Sequence, residues 1–295
     1  GSHAAPQRSQ SPLPATYRSQ QVPSSQSISQ YSRDSYGSAA RASQSKKGGI
    51  WRVVFIVSIV VFVGALAALG AIGYQYWAQQ NAYSGLEEYA EVDDNSNLAL
   101  SDLKVDWDGL RAINPDIVAW VYVPGTPINY PVVQGSDNQE YLHKAFDGST
   151  GWLASAGTIF LDASNASDLS DQNNALYGHH MNDGSMFNVI SDTTDQATFD
   201  SIEYVYYITR DATYKLRPLA TKVVEDTYAK ARTPNFEGDD GLKNYLSEML
   251  DGASAVASDA IDRAASATKV VTLVTCRSLS FSNTRAVMVL TLVEE

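Results

Sequence analysis

The chain has 295 residues, 44% of them hydrophobic, and a formal net charge of −12. The charge is uneven: up to Arg52 there are seven Lys or Arg and one acid, whereas residues 77–295 carry 14 bases and 32 acids. The acidic portion argues against nucleic acid or an anionic surface as its partner, and the single cysteine excludes an internal disulfide.

Residues 1–48 are rich in Ser, Gln, Ala, Tyr and Arg and almost devoid of aliphatic side chains. Such a stretch buries too little apolar surface to offset its ordering entropy, so a disordered tail is expected, with Gly1-Ser2-His3 resembling an expression scar. Residues 53–73 then run without a charge, and 13 of them are Val, Ile, Leu or Phe. At about 1.5 Å per residue this helix is roughly 31 Å long, the thickness of a hydrocarbon core. Those side chains favour insertion by roughly 4–8 kcal/mol. A single transmembrane helix over 50–76 is expected. Arg41, Lys46, Lys47 and Arg52 precede it and Glu87, Glu88, Glu91, Asp93 and Asp94 follow it, which predicts a cytoplasmic N-terminus and an extracellular remainder. Residues 77–104 read as an acidic stalk or N-terminal helix, and residues 105–295 as one domain.

Within that domain, residues 107–113 read as a short helix ended by Asn114-Pro115. The β-branched and aromatic run 117–123 (IVAWVYV) reads as a strand stopped by Pro124-Gly125, and 128–133 as the next. Residues 157–161 and 174–177 are short apolar strands. Residues 204–209 and 213–227 form a predicted hairpin across Arg210-Asp211, and 268–275 and 285–293 are the last two strands. Between these pairs, Leu242, Tyr245, Leu246, Met249 and Leu250 recur at helical spacing, so 239–251 reads as an amphipathic helix. Many short strands with helical insertions predict a mainly β, closed antiparallel barrel.

The chemistry concentrates at two places. His179 and His180 begin a loop directly after a predicted strand, with a glycine on either side of the loop to let the backbone turn. Cys276 ends the strand KVVTLVTC, where alternation puts it on one face with Val270, Thr272 and Val274. If the following strand pairs with it, Arg285 lies at the same sheet end. A thiol at its free pKa of about 8.5 is only slightly ionised at neutral pH, and neighbouring imidazolium and guanidinium groups favour its anion. Such a thiolate attacks an acyl carbon to give a thioester, the histidine supplies a proton to the leaving amine, and the arginine steadies an oxyanion or a peptide backbone. Taken alone, a strand cysteine is more often an inert core residue. Adjacent histidines rarely face one metal ion together, and no further Cys or His completes a set, so no metal and no other cofactor is expected. His143, in the segment Y-L-H-K-A-F, reads as a surface residue.

Three motifs in order carry a resemblance. T-L-V-T-C (272–276) with the downstream Arg285 resembles the sortase signature, and L-Y-G-H-H-M-N-D-G-S-M-F (176–187) is similar to the histidine motif of class B sortases. Residues 113–142 and the run G-T-I-F-L-D (157–162) also resemble the class B pattern, so about 105–293 is covered. The resemblance implies a sortase-type barrel with N-terminal helices and a helical insertion, around 235–265, before the penultimate strand. It implies Cys276 as nucleophile, His179 as acid–base and Arg285 as oxyanion or substrate-backbone partner. Asn138, Leu142, Val274 and Thr275 are the implied substrate-groove residues. His180 stands where class B sequences usually have Asn, and Val274 where they often have Ser, so the peptide motif is left open. Arg277 reads as solvent-facing. The implied function is a membrane transpeptidase that cleaves a C-terminal sorting motif of secreted proteins after Thr. The acyl group then passes to an amine, either of a peptidoglycan precursor or of a pilin lysine in a pilus-polymerising enzyme. A membrane tether raises the effective concentration of such an enzyme beside its substrates. A hydrolytic cysteine protease and a non-enzymatic anchored adhesion domain are the rival expectations.

Overall fold

A computed structural model describes residues 48–91, 104–151, 154–276 and 283–293. The chain divides into a unit ending at Val57, whose described residues are helical, and a unit from Ser58 onward. The expected disordered tail and Arg277 lie outside the described residues. Helix α1 (Gly48–Ser84) contains the uncharged run. Its stretch Gly48–Ala78 is long and apolar enough to cross a membrane, and the most apolar 18 residues of it bury nothing against protein. A helix apolar on every side satisfies its own backbone but leaves its side chains suited to lipid.

The segment expected as a stalk is helical to Ser84, then forms a short ribbon. Strand β1 (Ala90–Glu91) pairs antiparallel with β2 (Lys104–Val105), and residues 92–103 lie outside the described residues. Helix α2 (Trp107–Ile113) matches its predicted limits. The Asp106 side chain caps it by accepting from Gly109 N, and Asn114 ends it.

Eight strands then close a barrel. They are β3 (Ile117–Tyr122), β4 (Asn129–Val133), β5 (Ile159–Leu161), β6 (Asn173–Gly178), β7 (Val205–Ile208), β8 (Thr213–Glu225), β10 (Val270–Cys276) and β11 (Thr284–Leu292). The order is β11-β10-β6-β5-β4-β3-β7-β8, and β8 pairs back onto β11. Closure depends on the length of β8: its first residues pair with β7, while Leu216–Glu225 runs along β11. The expected closed barrel is present with one difference. The β4–β5 and β6–β10 seams are parallel, because in each case the chain crosses over before pairing.

Alternation along the strands divides their side chains between the barrel interior and the outer layers. Val121, Leu176, Leu273 and Met288 belong to the interior cluster. Trp120, Tyr122, Phe160 and Tyr206 pack outside with Leu110 of α2. Val270, Val274, Val287 and Val289 pack with Leu242, Tyr245, Leu246 and Met249 of α5 (Gly241–Leu250). Covering both faces explains why the strands read as nearly continuous apolar runs. The insertion between β8 and β10 also contains β9 (Ala255–Val256) and α6 (Ala260–Ser266). Arg263 of α6 fastens it to the barrel, donating to Pro218 O at 2.6 Å and to Thr291 Oγ1 at 2.7 Å. Two further short helices, α3 (Asn188–Asp192) and α4 (Gln196–Ser201), have no sequence period long enough to have predicted them.

Gly157, before β5, has φ +59°, and a Cβ there would lie 2.4 Å from Leu142 O and 2.5 Å from Tyr141 O. Both are backbone atoms and cannot swing away. Gly157→Ala is therefore expected to destabilise the domain by at least about 2 kcal/mol. Thermal denaturation of the full chain in detergent should show this as a fall in Tm of about 5–10 °C.

Candidate active site

Strand register brings the candidate residues together. In the parallel seam Thr275 of β10 lies opposite Gly178 of β6, so the next residues, Cys276 and His179, leave neighbouring strand ends. Adjacent strands are about 4.8 Å apart. On the other side of β10, Cys276 is paired with Arg285 of β11, and Arg285 is paired in turn with Val224 of β8. The histidine, cysteine and arginine thus come from three adjacent strands at one rim.

Gly178 precedes the histidine for a packing reason. A Cβ on it would sit 2.5 Å from Ile159 Cδ1 and 2.6 Å from Phe187 Cγ. Phe187 is fully buried and its N–H donates to His179 O at 2.9 Å, folding the histidine loop back on itself. The Asp183 carboxylate accepts from Ser185 N and Oγ within the loop. Met186 N donates to Tyr130 Oη at 3.2 Å.

The His179 ring is half-buried, and its Nε2 lies 2.7 Å from Leu142 O. A carbonyl only accepts, so Nε2 carries the proton, and Nδ1 is the nitrogen left to gain and lose one. His143 stacks on this ring, with centroids 5.5 Å apart and planes at 23°. Burial, then the positive charges available on His143 and Arg285, hold the His179 pKa below its ordinary value, against the opposing effect of the Leu142 carbonyl. His180 turns elsewhere, its Nε2 accepting from Asn188 Nδ2 at 3.1 Å. The tandem histidines therefore do not face one ion. Among the described residues no group of three or more His, Cys, Asp or Glu is arranged to hold a metal.

A groove of about 180 Å³ adjoins this rim, and all four residues expected to form a substrate groove line it: Asn138, Leu142, Val274 and Thr275, together with His179 and Arg285. Their roles differ in kind. Asn138 is held at both ends of its amide: its Nδ2 donates to Asp162 Oδ2 at 3.0 Å, and its Oδ1 accepts from Ala163 N at 2.8 Å. Tyr177 Oη also donates to Asp162 Oδ2, at 2.7 Å, and its ring stacks on Phe160. Asn138 and Tyr177 are thereby rigid parts of the wall. Leu142 contributes its side chain to the groove and its carbonyl to His179. Val274 gives an apolar surface shared with Val287 of β11.

Comparison with known proteins agrees with this architecture. The model of the sortase domain matches residues 121–293, more than half of the chain. The chain belongs to the sortase family. Sortase B of Staphylococcus aureus is 29% identical over 189 residues, covering 63% of this chain and 74% of the relative. Its crystal structure superposes with a TM-score of 0.56 at 28% identity, covering 64% of this chain and 87% of that one. Sortase B of Bacillus anthracis, in complex with AAEK1, gives a TM-score of 0.61 at 26% identity, covering 75% and 99%. These relatives make this a class B sortase.

Several residues at or beside the sortase groove have no motif of their own in the sequence. His143 is exposed, as expected of a surface residue, yet it lies against His179. Its only sequence signal is adjacency to Leu142. Glu225, Asp226 and Arg232 line the groove itself. They lie far from both motifs in the chain. Because a cationic His143 disfavours a second cation on His179, His143→Ala should raise the His179 pKa. Ring-proton NMR of histidine-labelled protein would show its titration moving to higher pH than in the wild type.

Proposed function

We propose that this sortase is a cysteine transpeptidase using Cys276, His179 and Arg285, held outside the membrane by α1 with the N-terminus in the cytoplasm. The observation that carries the proposal is the register: Thr275 opposite Gly178, and Cys276 opposite Arg285. The orientation is supported by the seven cations before the span and the acidic residues after it.

In this mechanism the Cys276 thiolate attacks the carbonyl carbon of the sorting-motif Thr, forming a C–S bond and an oxyanion. Arg285 offsets that negative charge. Collapse of the oxyanion breaks the C–N bond, and the proton on His179 Nδ1 passes to the leaving amine. A thioester remains. Burial makes His179 a readier proton donor than a solvated imidazolium, as protonating an amine leaving group requires. An acceptor amine then attacks the thioester and gives its proton to the same nitrogen. The C–S bond breaks, and a new amide forms.

The acyl donor is a secreted protein with a C-terminal sorting motif, lying along the groove walled by Asn138, Leu142, Val274 and Thr275. The acceptor is an amine of a peptidoglycan precursor. These steps call on side chains and substrates alone.

Fluorogenic peptides of the NPxTx, SPxTG and LPxTG types, offered with an amine acceptor, test this. Wild type should turn over one class and release the amide product in preference to the hydrolysed acid. Cys276→Ala should lose about 10³-fold or more in kcat, and Arg285→Lys about 10²-fold. Wild-type turnover by Cys276→Ala would overturn the mechanism.

A further inference from the structure

We propose that Tyr83, in the last turn of α1, is a positioning residue for His179, so that the end of the anchoring helix takes part in orienting the acid–base group. This rests on His179 acting as that group.

Two chains of contact lead from Tyr83 to the histidine. The first is polar. Tyr83 Oη donates to Gly157 O. Gly157 lies so close to the Tyr141 and Leu142 carbonyls that not even a methyl fits between. The Tyr141 carbonyl accepts from Thr158 N at 3.0 Å, locking the two segments side by side. Leu142 O is the atom that holds His179 Nε2 at 2.7 Å. A shift of Gly157 is thus passed to the carbonyl that sets the histidine tautomer and ring angle. The second chain runs through rings. Tyr83 packs edge-on against Tyr130, with centroids 5.6 Å apart. Tyr130 Oη accepts from Met186 N, and the neighbouring Phe187 N donates to His179 O. One side chain therefore supports the histidine from its ring and from its backbone.

The surroundings suit this role. Burial raises the Tyr83 phenol to about 12, so it remains a hydrogen donor at any pH at which the enzyme works. Gln75, two helical turns earlier, donates to Ser155 Oγ at 2.7 Å, next to the same segment. The contact of α1 with residues 155–157 is therefore made at two points. Neither Tyr83 nor Gln75 lines the groove. Any effect on turnover must pass through the segments that they hold.

The test uses the full chain in detergent or lipid vesicles. Tyr83→Phe keeps the ring against Tyr130 and removes only the hydroxyl, and with it the hydrogen bond to Gly157 O. It should lower kcat about 3–10-fold with KM within about twofold, since a small misplacement of a catalytic group acts on the chemical step. Its His179 titration by NMR should be displaced, while Tm stays within a few degrees. Tyr83→Ala, which breaks both chains, should lower kcat further. Wild-type kcat and an unmoved His179 titration in Tyr83→Phe would overturn the proposal, as would a change confined to Tm. The NMR readout needs no turnover. If wild type proves inactive on every peptide, the transpeptidase reading fails, while the titration still reports whether Tyr83 governs the His179 environment.

Discussion

The parallel seam between β6 and β10 is the constraint from which the site follows. A hairpin would set the end of one strand beside the start of the other. A parallel pair puts two C-terminal ends together, and here those ends carry His179 and Cys276. The register of that seam is held by buried polar groups. Thr272 Oγ1 donates to Asn173 Oδ1 at 2.7 Å, and Asn174 Nδ2 to Val270 O at 3.3 Å. Asn173 Nδ2 also donates to Ala231 O and Thr233 O. Slipping the seam by one residue would leave these buried groups without partners, at a penalty of about 1–3 kcal/mol each. Polar residues in an otherwise apolar strand thus specify which residue stands beside the histidine.

The remaining architecture serves that seam. A parallel pair needs a long crossover, and the chain uses it to build α3, α4, β7, β8 and the α5–α6 insertion before returning as β10. The insertion then covers the outer face of β10 and β11, with Phe236 stacked on Tyr245 at 4.7 Å. Arg232, just before it, reaches the groove. Stability and groove shape are linked for this reason: the residues that bury the outer valines belong to the segment that bounds the groove.

Much of this was legible in the sequence. Residues 53–73 needed only their composition to be read as a span, and 117–123 only its β-branched texture. The helix over Gly241–Leu250 showed its period, and the motifs around His179 and Cys276 identified the family. Hidden features were those without a local pattern. The helices α3 and α4 are too short for a period to emerge, and the direction of pairing between β6 and β10 is not written in either strand. His143 lies on a segment with no motif, and meets His179 only because Leu142 O captures that ring.

By itself the sequence determined the class of fold, the membrane-compatible helix, the single thiol and the motifs that carry the candidate Cys, His and Arg, because these depend on composition, period and short motifs. Tertiary structure alone decided which atoms meet. It set the His179 tautomer through Leu142 O, tied the Asn138 amide to Asp162 and Ala163, laid His143 against the His179 ring, and brought Tyr83 to Gly157. Each of these joins residues far apart in the chain, or turns on where a side chain points, and such contacts exist only once the barrel has closed.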